Sequence, residues 1–156
     1  MASVPVTQDG LDKLKAELQQ QETRRPVLLT AVREAREKGD LSENAEYHAA
    51  REELAMIENR IAELRRKISQ AALVDPSRQG GDAAVFGAIV KLADLSGGEA
   101  EEFTLVGEGE ADPFSNKILT TSPMGKALLT KKAGDTVEVP APKGMLRFKI
   151  LEIRFP

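Results

Sequence analysis

Apolar residues early in the chain fall at Leu11, Leu14, Leu18, Leu28, Val32 and Ala35, and the steps of three and four continue through Gln21 and Arg25. A later segment keeps the rhythm more cleanly, at Leu54, Ile57, Ile61, Leu64 and Ile68. This spacing lays a narrow apolar stripe along one side of a helix, so it predicts two heptad-patterned helices. The break between them, Lys38 to Ser42, is short, and two helices joined this way fold back antiparallel. A helix from about Gln8 to Glu37 would span roughly 45 Å at ~1.5 Å per residue. Thr7 is placed to cap its start, and Gly39 to close its end. Pro26 removes a backbone bond within it and predicts a kink near Thr23 to Arg25 without a break, because the pattern resumes in register. The second helix is expected to fade after Ala72.

Past Asp75 the period changes. Asp75 to Asp82 reads as a linker rich in turn formers. Strands are predicted at Val85 to Leu92, Glu102 to Val106, Lys117 to Thr120, Thr136 to Val139 and Leu146 to Ile153. In the last of these, Leu146, Phe148 and Ile150 alternate with Arg147 and Lys149. Ser122-Pro123 before Met124 to Leu129 predicts a short helix with Ser122 as cap and Pro at its first position. The expected class is α+β. Residues 1–75 form a helical hairpin with an acidic tip at 39–46, residues 76–82 a linker, and residues 83–156 a small β-rich domain.

Composition narrows the function classes. The 156 residues carry no Cys, so disulfides and thiolate metal sites are excluded. No apolar run approaches ~20 residues and the start has no basic apolar leader, so a cytoplasmic protein without a membrane span is expected. The formal net charge is −3, with 12 basic and 14 acidic residues up to Asp75 and 10 and 11 beyond it. Neither half is a basic module, so contact with nucleic acid is expected to be local or mediated by a partner. A single His, His48, rules out a Ser/His/Asp set that needs another, and no Gly-rich phosphate loop of the usual spacing occurs.

The candidate chemistry lies at the bend. Asp40 and Glu43 are three residues apart, a spacing that fits a capping box with Asp40 as N-cap. The same spacing suits a pair of metal-binding carboxylates. Two carboxylates on an exposed tip do not complete the six-oxygen shell of Mg²⁺, so a metal held there would be shared with another macromolecule. Glu46 is a surface acid or a helper one turn on. Arg36, Lys38 and Arg51 flank the bend, where they either grip a phosphate backbone or pair with Glu37, Glu52 and Glu53. Tyr47 either stacks on a base or covers the first helix near Val32.

Gly39-Asp40-Leu41-Ser42-Glu43-Asn44-Ala45-Glu46-Tyr47-His48-Ala49-Ala50-Arg51-Glu52 closely resembles the hairpin tip of the GreA/GreB family of bacterial transcription elongation factors. Ser122-Pro123-Met124-Gly125-Lys126-Ala127-Leu128 with Gly134-Asp135-Thr136-Val137 resembles the family's second signature. The resemblance implies a C-terminal domain similar in fold to FK506-binding proteins, seated on the rim of the RNA polymerase secondary channel. It implies a hairpin that reaches down that channel towards the nascent RNA 3′ end, and a monomer is expected. Asp40 and Glu43 would there help hold a Mg²⁺ shared with the polymerase and orient the water that cleaves backtracked RNA. Arg36, Lys38, Tyr47 and Arg51 would contact RNA, and Asp112, Ser122 and Pro123 would dock on the polymerase. The chain would be an accessory factor, not an enzyme by itself. Both tip acids are present, unlike in inhibitory relatives whose tips differ, and the base-poor middle of the second helix favours the GreA branch over GreB. Two rivals remain: a channel plug that cleaves nothing, and a coiled-coil adaptor or holdase unrelated to polymerase.

Overall fold

A computed structural model describes residues 3–40 and 44–156. Two compact units emerge, one of Asp12–Gln70 and one joining the residues through Leu11 to Ala71–Pro156.

The first unit is the helical hairpin. Helix α1 runs Gln8–Arg36 and α2 runs Ala45–Gln70. α1 passes through Pro26 without interruption. Just before it, the Thr23 hydroxyl donates to the Gln19 carbonyl at 2.9 Å. The apolar stripe closes the seam: Leu14, Leu28, Val32, Ala35, Tyr47, Ile61 and Leu64 are buried. Cross-helix ion pairs border it, with Glu17 on Arg60, Glu22 on Arg65, Arg24 on Glu53 and Arg25 on Glu58. Low numbers on α1 meet high numbers on α2, which is the antiparallel register the short bend requires.

The second unit takes in more of the chain than residues 83–156. Strand β1 (Val4–Val6) pairs in parallel with β2 (Ala71–Leu73). The second helix therefore ends at Gln70, and Ala71 and Ala72 are extended where helix was expected. The strands β1 and β2 and the first turn of α1 thus lie with the sheet rather than with the hairpin to which the sequence assigned residues 1–75. That first turn is capped as expected, with Thr7 Oγ1 accepting from the Gly10 amide at 3.0 Å, while the Thr7 hydroxyl donates to Glu110.

The main sheet has five strands in the order β5-β4-β3-β7-β6. They are β3 (Ile89–Asp94), β4 (Glu101–Val106), β5 (Lys117–Leu119), β6 (Thr136–Ala141) and β7 (Gly144–Arg154). All neighbours are antiparallel except β4 and β5. β3 starts later than its apolar run suggests because Gly87 sits at φ +89°, where a Cβ would lie 2.8 Å from that of Pro76. Helix α3 (Pro123–Leu128) packs on the sheet, and Ala88, Val90, Leu105, Leu128, Val137, Val139, Phe148 and Ile150 make one core. Among the described residues, no helix is long and apolar enough to cross a membrane.

Candidate functional site

The bend is held by an asparagine. Asn44 Nδ2 donates to the Ala35 carbonyl at 2.6 Å, satisfying an acceptor in the last turn of α1. Its Oδ1 accepts from the Tyr47 amide at 3.0 Å, and its carbonyl accepts from the His48 amide at 3.1 Å. One side chain thus secures the end of α1 and the start of α2. The N-cap of α2 is therefore Asn44, which corrects the capping-box reading that gave Asp40 this place. The helix begins four residues after the point that reading requires. An Asn directly before a helical stripe is the sequence signal for this cap.

Asp40 is exposed, one residue past Gly39, whose φ of +127° turns the chain out of α1. Glu43 lies outside the described residues. Lys38 is drawn to Glu46 in an exposed ion pair of 3.1 Å. Tyr47 has the opposite fate: it is buried to 6% exposure against Val32 and Ala35, with Ala50 and Leu54 packed around them. Two guanidinium carbons approach its ring, Arg36 at 5.7 Å and Arg51 at 5.6 Å from the centroid. A hydrogen bond from Arg36 holds the Tyr47 phenol below its ordinary value, against the opposing effect of burial, and the Arg51 charge adds to the lowering. The exposed His48 ring is tilted against Tyr47 at 5.6 Å. The structure thus brings together Arg36, Tyr47 and Arg51, and sends Lys38 elsewhere.

The other predicted residues belong to the sheet unit, where both polar ones secure turns. Asp112 caps the 3-10 turn Pro113–Ser115, accepting from the Phe114 amide at 3.0 Å and the Ser115 hydroxyl at 2.9 Å. Those bonds, Ser115's first, lower its carboxyl below the usual range. Ser122 caps α3 by accepting from the Gly125 amide at 3.0 Å and donates to the Leu119 carbonyl at 2.6 Å. Pro123 follows at the first helical position, exposed. Sequence reasoning missed Phe114, which stands 98% exposed on the turn that Asp112 holds. An aromatic residue inside an Asp-Pro-x-Ser turn was the signal for it.

Residues 4–73 match the family described as transcription elongation factor, N-terminal, and residues 79–155 match the GreA/GreB C-terminal family. The chain belongs to the GreA/GreB family of transcription elongation factors. The transcription elongation factor GreA of Acidiphilium cryptum (strain JF-5) is 48% identical over 156 residues, 99% of each chain. That of Thermodesulfovibrio yellowstonii is 46% identical over 153 residues, 97% of each. The solved structure of GreA factor homolog 1 (Gfh1) of Thermus thermophilus aligns with TM-score 0.46 at 30% identity, covering 97% of this chain and 99% of that one. As a member of this family the chain works with RNA polymerase during elongation.

Proposed function

We propose that the chain stimulates cleavage of backtracked nascent RNA by RNA polymerase, so that arrested complexes resume elongation. The hairpin enters the secondary channel and the sheet unit rests on its rim through the turns held by Asp112, Ser122 and Pro123. The observation that carries this reading is Asp40, a carboxylate exposed at the bend directly after Gly39.

Asp40 and Glu43 supply hard oxygen donors of the kind Mg²⁺ takes. Among the described residues, no group of three or more acidic, His or Cys side chains is gathered closely enough to hold a metal by itself. When bound, such an ion polarises phosphoryl oxygen and activates water. The chain's own part is to carry the two carboxylates and orient the attacking water. Asn44 fixes the bend, and Arg36 and Arg51 offer cations to the RNA backbone. The chain acts as a cytoplasmic monomer and an accessory factor, and catalysis belongs to the polymerase.

The test is RNA cleavage in a stalled, backtracked complex with Mg²⁺, using the intact chain, Asp40→Asn and Glu43→Gln, with polymerase binding measured alongside. Cleavage that rises with the intact chain and collapses in both variants while binding persists is the expected result. A plug would bind and stimulate nothing in any form. An adaptor would fail to bind core polymerase.

A further inference from the structure

Six of the hairpin's eight arginines divide by what holds them, and among the described residues Arg33 and Arg66 show neither arrangement, Arg66 reaching Gln70 on its own helix. Along the body, Arg24, Arg25, Arg60 and Arg65 each reach a glutamate on the opposite helix, at 3.1, 3.7, 2.7 and 3.4 Å. Arg36 and Arg51, one from each helix and both exposed, have no carboxylate within ion-pair reach among the described residues. Both instead converge on Tyr47, at 5.7 and 5.6 Å. Gathering two cations around one ring works against their mutual repulsion. The ring is also fixed from below, since it is 6% exposed and packed on Val32 and Ala35. Part of each fork goes to the Tyr47 hydroxyl, Arg36 most, and the N–H donors left over match phosphate oxygens. Orienting both before contact lowers the entropy lost on binding.

We propose that Tyr47 is a positioning residue whose ring presets Arg36 and Arg51 as a two-guanidinium receptor for a phosphate of single-stranded RNA at the bend. The role rests on the cleavage function proposed above and adds the element that orders its RNA-facing cations. Tyr47 does not itself touch RNA in this arrangement. It acts through the two arginines.

Two measurements test this. The chain has one Tyr and no Trp, so tyrosine emission reports on this ring alone. Titrating the free protein with a single-stranded hexaribonucleotide is expected to change that emission, and Arg36→Ala with Arg51→Ala to abolish the change. The second measurement is cleavage in the backtracked complex, comparing Tyr47→Phe, which keeps the aromatic face, with Tyr47→Leu, which keeps only apolar bulk. Tyr47→Leu is expected to lower the saturating rate roughly tenfold, as for a lost charge-assisted contact, with the half-saturating concentration unchanged. Tyr47→Phe, which keeps the aromatic face but not the hydroxyl that Arg36 bonds, should rescue part of it, and Tyr47→Leu should add nothing in a chain lacking both arginines. Helical circular dichroism of each variant controls for folding. Emission that ignores the oligonucleotide overturns the receptor, and so does a Tyr47→Leu loss that persists without the arginines. A raised half-saturating concentration would mean that the pair grips a polymerase acid, which overturns it too. An emission change in a chain that stimulates no cleavage would sink the cleavage reading and leave the receptor standing.

Discussion

The hairpin and the sheet unit bury apolar residues in different ways. Among the hairpin's described residues only Leu64 reaches 0% exposure, whereas Ala84, Ala88, Val90, Leu105, Leu128 and Ile150 all do so in the sheet unit. A seam between two helices is one side chain thick, and its flanks are closed by charged residues. A sheet covered by a helix encloses its core on every side. The same truncation should therefore cost more in the sheet, where the hole cannot be reached by water or closed by a neighbour.

The largest effect is expected from Ile150→Ala or Leu128→Ala, each in the upper part of the ~2–5 kcal/mol range for such core truncations, with Leu64→Ala in the lower part. Urea unfolding followed separately in the two units checks the order, and equal costs would break the comparison. Next comes Asn44→Ala, which removes a cap of α2 and a bond to the last turn of α1. Thermal melting of the hairpin should report a loss of about 1–2 kcal/mol.

Glu17 sharpens the contrast through pH. Its carboxyl is held below the ordinary 4.5, first by the hydrogen bond from Arg60 and then by that residue's charge, against some burial. A lowered carboxylate stabilises the fold above its unfolded value, and that contribution fades as pH falls through the lower folded value. Hairpin melting should thus weaken with acid below about pH 4.5. Glu17→Gln should flatten that limb, while leaving part of it to Glu63, which Lys67 lowers in the same sense. The smallest effect belongs to the exposed Arg24–Glu53 pair, for which a double-mutant cycle should return ~0–1 kcal/mol.

Periodicity made the long elements legible. A helix of 29 residues or a strand of 11 repeats its pattern often enough to be read. Ser122-Pro123 marked the start of α3 because cap and first-turn chemistry are local. β1 and β2 were hidden because three residues make no period and their pairing partner is distant in the chain. The bend misled because an acid at each end of a four-residue frame imitates a cap, and only the backbone shows which residue accepts from the helix amides. Tyr47 and Arg51, four apart on one helix, were legible as neighbours. Arg36 joins them only once the register of two helices is known.

The pairing of Val6 with Leu73 bears on the order in which the chain folds. Were the segment between them flexible, joining its ends would carry a length-dependent entropy cost of about 4 kcal/mol, more than three residue pairs readily repay. A hairpin that has already formed returns the chain to where it began and removes most of that cost. The small parallel clasp is therefore a late event, and its closure rate should follow the stability of the seam.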